Sequence, residues 1–396
     1  MSKPNIAEAI ALMESFAERT GLAGGQPPRR YLWTDAFAVC NFLGLARTTG
    51  EQRYTDLALQ LVDQVHHTLG RHRDDGPRSG WLSGLDEQEG EHHPTTGGLR
   101  IGKALPERGP DQAFDEGLEW ERDGQYFHYL TKWMHALDQV ARATGQPRYN
   151  RWARELAKAA HQAFTYLPSP TGPLCMHWKM SIDLSRPLVA SMGQHDPLDG
   201  YITCLQLQAT AASLPEADTG PNLTNNIDQL ATMLENANWE TADPLGIGGL
   251  LTDAHRAAGL LRQNALSDEP LLDRLLEAAL TGLQHYTAGA ELRLPAKYRL
   301  AFRELGLSIG LHAVESMWQS GSTETLSPAA PGAHARLQVL MEYLPLRDQI
   351  ETFWRNPEHR NTAPWIEHCD INQVMLAASL APEGFLSQRA QVPYRA

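Results

Sequence analysis

Two aspartates near the middle of the chain stand where a helix is expected to begin. The run HDPLDGYIT places Asp196 directly before a proline and Asp199 three residues later. An aspartate followed by proline at the first helical position is a common N-cap arrangement, so capping is one interpretation of Asp196. Asp199 is also compatible with a surface acid near the positive end of the helix. The functional interpretation is that one of them is a general acid or base.

Cleavage of a glycosidic bond requires two carboxyl groups, one near either side of the scissile bond. Asp35, in the sequence Trp-Thr-Asp, is a second source of such a carboxylate, although a first-turn acid is its structural alternative. Imidazoles whose pKa lies near neutral pH also transfer protons, and His195 directly precedes Asp196. The catalytic candidates are Asp35, His195, Asp196 and Asp199.

Aromatic, imidazole and charged side chains gather at the expected starts of the apolar helices. Aromatic rings stack on the apolar faces of sugars, while carboxylates and imidazoles bond sugar hydroxyls. This composition favours a carbohydrate over an apolar ligand. Cations that precede two of these helices (Arg29, Arg30, Lys297 and Arg299) add the hypothesis of an anionic sugar. The substrate-binding candidates are Trp33, Trp120, Tyr126, His128, His177, Lys179, Arg299, Trp365, His368 and Asp370.

A repeated helical hairpin is expected to position these residues. Residues 31–58 read YLWTDAFAVCNFLGLARTTGEQRYTDLA, and residues 126–153 read YFHYLTKWMHALDQVARATGQPRYNRWA. Each segment reaches Ala-Arg, turns at Thr-Gly and opens a second helix at Arg-Tyr. Glycine suits the left-handed residue that ends a helix, and the short turn makes the second helix antiparallel to the first.

About twelve helices follow from the apolar periodicity, and helices that are apolar on all sides alternate with one-sided ones. This alternation predicts an all-α (α/α)6 barrel, a toroid of six hairpins that forms one domain over residues 1–396. The inner helices are predicted at 31–47, 124–143, 197–213, 246–262, 298–318 and 365–381. The outer helices are predicted at 5–21, 51–70, 147–166, 222–237, 268–286 and 334–354, the last broken near Pro345.

Two long connections, 71–123 and 167–196, contrast with the short turns between inner and outer helices. In a barrel they would lie on the rim where the inner helices begin, and long loops on a rigid scaffold are usually functional. The run MHWKM alternates as a short strand does, which places His177 and Lys179 on one face. Glu91-His92-His93 lacks the spacing of a metal motif, so we expect no metal and no cofactor.

The pattern LWTDAFAV…LARTTGEQRYTDLA resembles the hairpin of the six-hairpin glycosidase-like superfamily. That superfamily includes unsaturated glucuronyl hydrolases and the N-acylglucosamine 2-epimerase group. The resemblance in repeat pattern covers most of the chain and is strongest in the first two hairpins. It implies aspartates at inner-helix starts as acid and base in a hydrolase, or histidines that move a proton next to a carbonyl in an epimerase. Tyr126 and His128, where the hydrolases have an aspartate, depart from the hydrolase pattern.

The composition restricts the partners. With 47 acidic and 34 basic residues the formal charge is −13, which argues against nucleic acid. No apolar run is long enough to span a bilayer, and four scattered cysteines without disulfide or metal spacing indicate a reduced, cytoplasmic protein.

We therefore expect a small-molecule carbohydrate substrate, no nucleic acid and no membrane; the sequence does not give the oligomeric state. The leading hypothesis is a hydrolase of a small glycoside or oligosaccharide that uses paired aspartates. A sugar epimerase or isomerase that uses histidines is the second hypothesis. A non-catalytic toroid that binds a ligand or partner is the third.

Overall fold

The protein is mostly helical, with 65% helix and 4% strand, in agreement with the predicted all-α class. The computed structural model describes residues 3–191, 193–214, 220–235, 237–320 and 331–388, so the domain predicted over 1–396 includes stretches outside the described residues. Packing divides the chain into two compact units, named here for where most of their residues lie. Within the described residues, the N-terminal unit comprises 17–43 and 52–237, and the C-terminal unit comprises 3–16, 44–51 and 238–388.

Helices α1 (Lys3–Arg19) and α2 (Leu32–Thr49) contribute residues to both units. The other helices of the N-terminal unit are α3 (Gln52–Leu69), α4 (Glu87–His92), α5 (Glu116–Glu121), α6 (Phe127–Thr144), α7 (Pro147–Phe164), α8 (Asp196–Ser213) and α9 (Thr224–Leu234). The turn from α6 to α7 has the expected chemistry. Gly145 adopts a φ of 68° and donates its N–H to the carbonyl of Ala141, and Pro147 then opens α7.

Short strands and helices occupy the two segments that the sequence assigns to long loops. Strands β1 (Gln125–Tyr126), β4 (Lys179–Met180) and β5 (Pro187–Val189) form a three-stranded antiparallel sheet in the order β1-β4-β5. Strands β2 (Thr165–Tyr166) and β3 (Cys175–Met176) form a separate pair. Tyr126 pairs with Lys179 in the larger sheet, so the residue before α6 is fixed against the segment 167–196.

The C-terminal unit contains α10 (Pro244–Arg262), α11 (Glu269–Ala288), α12 (Ala301–Gln319), α13 (Pro331–Met341), α14 (Leu344–Arg355), α15 (Pro357–Arg360), α16 (Ala363–Glu367), α17 (Cys369–Leu380) and α18 (Glu383–Leu386). The break between α13 and α14 falls where the sequence predicts it, at Pro345. Helices α10 and α12 approach closely because glycines face each other: a Cβ at Gly310 would lie 2.7 Å from the Cα of Gly248.

Burial follows the predicted alternation within each unit. Every residue of α10 from 250 to 260 is buried, whereas α3 buries one side only, including Tyr54, Leu61 and Val65. A helix enclosed by others has the first pattern and a helix at the surface has the second. Among the described residues, no helix is both long and apolar enough to cross a membrane.

Candidate functional site

The first turns of α2, α6 and α8 converge within the N-terminal unit. The phenol oxygens of Tyr31 and Tyr129 lie 2.7 Å apart, which joins the start of α2 to that of α6. The rings of Trp33 and His128 are 6.1 Å apart at an edge-to-face angle. Nδ1 of His128 lies 3.7 Å from Oδ1 of Asp196, which joins α6 to α8. Three candidate side chains from three helices therefore meet.

Asp196 is the most unusual carboxyl group of this cluster. It is 5% exposed, and its Oδ2 is buried without a hydrogen-bond partner. Gly193 packs directly against this carboxyl group, where any larger side chain would collide with it. Burial, reinforced by the negative charge of Asp199, raises the pKa of Asp196 from 3.8 to about 7, although Lys132 opposes the shift. Asp196 consequently holds a proton in part at neutral pH.

The pKa of His128 is shifted in the opposite direction. Burial lowers the pKa of the His128 imidazole from 6.5 to about 4, and the charge of Lys132 adds to this effect. Its Nδ1 has no hydrogen-bond partner, and its ring stacks at 20° on the indole of Trp178, with centroids 6.2 Å apart. The ring is therefore a neutral imidazole near neutral pH. A protonated carboxyl group and a neutral imidazole within a few ångströms of each other can exchange a proton.

Asp199 is held by two donors from α6. Thr131 donates its hydroxyl to Oδ2 of Asp199 at 2.5 Å, and the Lys132 ammonium lies 2.7 Å from the same oxygen. Charge-assisted bonds of this length stabilise the ionised carboxylate. The two acids of α8 thus differ in state, because Asp196 lies in an apolar, unpaired position and Asp199 lies against a cation.

Aromatic rings form a wall beside these acids. The Trp178 ring lies 4.8 Å from that of Trp120 and 5.6 Å from that of Tyr126. Trp120 is 45% exposed, so part of this wall faces solvent. Trp33, whose ring lies 6.1 Å from that of His128, is only 7% exposed, and its buried indole nitrogen has no hydrogen-bond partner. The partly exposed rings of Trp120 and Trp178 therefore provide the flat apolar faces of this wall.

Three further candidates of the N-terminal unit are engaged in structural contacts. Asp35 is fully buried, lies 3.4 Å from Arg30 and accepts the backbone N–H of Tyr31 at 2.8 Å. The Lys179 ammonium donates to the carbonyl of Glu119 at 2.6 Å and to its carboxylate at 3.0 Å. His177, the third, stacks on Tyr166 with ring centroids 4.1 Å apart. We therefore leave Asp35, His177 and Lys179 out of the proton-transfer cluster.

His195, the fourth catalytic candidate, occupies the N-cap position of α8 and is partly exposed. The other four candidates belong to the C-terminal unit. Arg299 binds the Glu304 carboxylate with two nitrogens at 2.7 and 2.6 Å, and both side chains are buried. Trp365 is buried and stacks on Trp354, with centroids 5.8 Å apart. His368 is exposed beside Phe302, and Asp370 lies in the first turn of α17.

The cluster also contains three residues that are not among the sequence-based candidates: Thr131, Lys132 and Trp178. Lys132 follows His128 by four residues on α6, so helical spacing places both on one face, and that signal was available. Trp178 lies between the two residues that the strand alternation favoured. The prediction of one short strand over MHWKM is wrong, because Met176 ends β3 and Lys179 begins β4 in a different sheet, and His177 and Trp178 lie between the two strands. The ring that stacks on His128 is that of Trp178.

Comparison with known proteins gives no matching family model and no match among curated proteins. The geometry of the cluster is therefore the basis for a functional argument. It contains one carboxyl group with a raised pKa, one carboxylate paired with lysine, one neutral imidazole and a wall of indole and phenol rings.

Proposed function

We propose that the protein is a carbohydrate-active enzyme that hydrolyses a small glycoside or oligosaccharide, with Asp196 as the general acid and Asp199 as the second carboxylate. One observation carries this proposal: two acids three residues apart on α8 lie in environments that separate their states. Asp196 is buried, unpaired and has a pKa of about 7, while Asp199 is bound to Lys132 and Thr131. Glycosidases place their two carboxyl groups in such contrasting environments.

In this mechanism the protonated Asp196 gives its proton to the oxygen of the leaving group as the glycosidic bond breaks. Asp199 remains ionised beside Lys132. It either attacks the anomeric carbon to form a glycosyl-enzyme that water then hydrolyses, or takes a proton from a water that adds to that carbon as the leaving group departs. His128 is neutral, so it does not compete with the sugar for the negative charge of Asp199. The partly exposed rings of Trp178 and Trp120 offer faces on which the sugar stacks.

A neutral sugar suits this cluster better than an anionic one. Two of the four cations that suggested an anionic substrate are paired with carboxylates: Arg30 lies against Asp35 and donates to a backbone carbonyl, and Arg299 is bound by Glu304. Lys132, the ammonium nearest the two acids, is bound to Asp199. An anionic ring would therefore meet carboxylates without an uncommitted cation from this set.

The (α/α)6 barrel remains part of the proposal. Within the N-terminal unit α6 and α8 pack together and are mostly buried, and each is followed by a helix that buries one side. Within the C-terminal unit α10 and α12 repeat this relation with α11 and α13. A crystal structure without a closed ring of six hairpins would contradict the proposed barrel.

Epimerisation of a sugar is the second candidate, and His128 is the observation that favours it. Its Nδ1 is buried, has no hydrogen-bond partner and lies 3.7 Å from Asp196. A neutral imidazole can take a proton from a carbon next to a carbonyl, while a protonated acid beside it returns one. The same pair of groups thus fits either reaction, and only the products distinguish them.

The test is incubation of the full chain with panels of neutral glycosides and of free sugars in heavy water, followed by NMR. A glycosidase releases a reducing sugar and leaves the carbon-bound hydrogens in place, whereas epimerisation by deprotonation introduces deuterium at carbon. Asp196→Asn should abolish the turnover, and Asp86→Asn, which removes only the negative charge of the exposed N-cap of α4, serves as the control. Turnover that survives in Asp196→Asn removes Asp196 from the mechanism. Sugar binding without turnover in both the wild type and the variant overturns the enzymatic proposal in favour of a binding protein.

A further inference from the structure

The N-terminal unit contains a cavity whose lining includes no residue of the cluster of Asp196 and His128. Its volume is about 440 Å³, within the range of roughly 300–1,000 Å³ typical of small-molecule sites. One wall is a face of α3 that repeats at helical spacing and includes Val62, His66 and His67. The first turns of α7 and the segment from Trp81 to Pro94 form the other walls.

The floor of this cavity is aromatic and fixed. The His66 ring meets Trp152 edge-to-face at 5.2 Å, and its Nε2 accepts the indole N–H of Trp133 at 3.2 Å. Because an indole nitrogen only donates, the proton of the neutral His66 ring must be on Nδ1. Burial lowers the pKa of His66 to about 3, so the ring stays neutral. The Trp152 indole donates to the carbonyl of His92 at 2.8 Å, which ties α7 to the third wall.

One end of the cavity is cationic. Arg148 is exposed, lies 4.8 Å above the ring of Tyr149 and 5.7 Å from that of Trp152, and donates to the Tyr149 hydroxyl at 2.9 Å. Among the described residues its guanidinium has no ion-pair partner. Arg151, one turn further along α7, already has partners: its Nε lies 3.7 Å from the Glu155 carboxylate and its Nη2 donates to the carbonyl of His92 at 3.5 Å. The cavity thus combines flat rings with the Arg148 guanidinium, which can bind a carboxylate.

The acidic residues of the cavity do not cancel these cations. Asp63 and Glu91 both bind His67: Glu91 at 2.7 Å and Asp63 at 3.3 Å. These contacts raise the pKa of His67 against the effect of burial. Both carboxylates of the lining thus have a partner in the imidazole of His67, whereas Arg148 has no carboxylate partner among the described residues.

We propose that this cavity is a binding site for a small planar aromatic carboxylate, with the ring against Trp152 and His66 and the carboxylate on Arg148. The site is independent of the carbohydrate reaction, since none of its lining residues belongs to the cluster of Asp196. The chain also supplies a matched control. Arg53 and Tyr54, at the same place in the first hairpin, repeat the arginine–tyrosine contact at 2.6 Å and do not line the cavity.

The experiment is isothermal titration calorimetry of the full chain with naphthalene-2-carboxylate and with its neutral amide. The wild-type protein and the Arg53→Gln variant should bind the carboxylate equally, and Arg148→Gln should bind it at least tenfold more weakly. The amide should bind at least tenfold more weakly than the carboxylate to the wild type, with no further loss in Arg148→Gln. Arg148 is exposed, so its replacement leaves folding intact, and circular dichroism verifies this.

Four results would overturn the site. They are absence of carboxylate binding at millimolar concentration, equal binding of acid and amide, equal binding by wild type and Arg148→Gln, and an equal loss in Arg53→Gln. The last would indicate a general charge effect and not a site.

Discussion

The two units treat their buried acids at helix starts in opposite ways. In the C-terminal unit, the Glu304 carboxylate is hydrogen-bonded by two nitrogens of the Arg299 guanidinium and also accepts the indole N–H of Trp354 at 2.8 Å. In the N-terminal unit, Asp196 is just as buried, yet its Oδ2 has no partner and the nearest basic group is a neutral imidazole. Both acids are buried in a low-dielectric environment, but only the charge of Glu304 is balanced by a cation.

This difference indicates that the buried acid of the C-terminal unit stabilises the fold, whereas that of the N-terminal unit is suited to proton transfer. A buried carboxylate with a complete set of donors contributes to a rigid structure, and its removal leaves an unpaired cation. A buried carboxyl group without donors costs stability when ionised, and such a cost is commonly kept where a perturbed pKa is used. We therefore expect substitutions of Glu304 to affect folding and substitutions of Asp196 to affect turnover.

The largest expected effect is on turnover by Asp196→Asn. If Asp196 is the general acid, kcat should fall roughly 100- to 10,000-fold, because an amide cannot supply the proton. The folded state should be retained, since asparagine has the size of the protonated aspartic acid. Steady-state kinetics on the substrate found in the sugar screen, beside a thermal unfolding curve, tests this, and a loss below threefold contradicts the assignment.

Next in size is the unfolding of Glu304→Gln. Removing the carboxylate leaves the buried Arg299 guanidinium without its counter-charge, so the free energy of unfolding should fall by about 3–5 kcal/mol. Arg303→Gln is the matched control, because the Arg303–Asp243 pair is 43% and 35% exposed and should contribute only about 0–1 kcal/mol. Urea titrations of both variants measure the contrast. Equal losses would show that burial does not distinguish these two pairs.

The helices were predictable because hydrophobic periodicity and turn residues are local signals. Gly145 and Pro147 mark a helix end and a helix start in the sequence itself, and the structure places both there. The ion-pair partners of the charged side chains were not predictable from the sequence. Arg30 with Asp35 and Glu119 with Lys179 look like available charges until the fold buries each against the other. The states of Asp196 and Asp199 depend on burial and on Lys132, which helix packing alone determines.

A smaller effect is expected in the pH dependence of stability. The folded pKa of Asp196 is raised to about 7, so its contribution is fully present below the unfolded pKa of 3.8 and is lost as pH rises through 7. At about 1.4 kcal/mol per pKa unit, the loss is at most about 4 kcal/mol. Wild type should therefore lose stability relative to Asp196→Asn between pH 4 and pH 7, with a constant difference above that range. Urea midpoints measured from pH 4 to pH 8 test this; parallel curves for the two proteins would place the Asp196 pKa near its ordinary value.

The smallest expected effect concerns Lys132, and it tests whether the unpaired acid of the N-terminal unit is tuned by its surroundings. The Lys132 ammonium lowers the pKa of Asp196 against burial, so Lys132→Met should raise that pKa. If Asp196 acts as the acid, the decline of kcat at alkaline pH should move upward by less than about one pH unit. Lys158→Met, which removes an ammonium on α7 that donates to Asn226 of α9, should leave the profile in place. An alkaline limb that stays fixed in Lys132→Met, or moves downward, assigns that limb to a different group and removes Asp196 from the proton transfer.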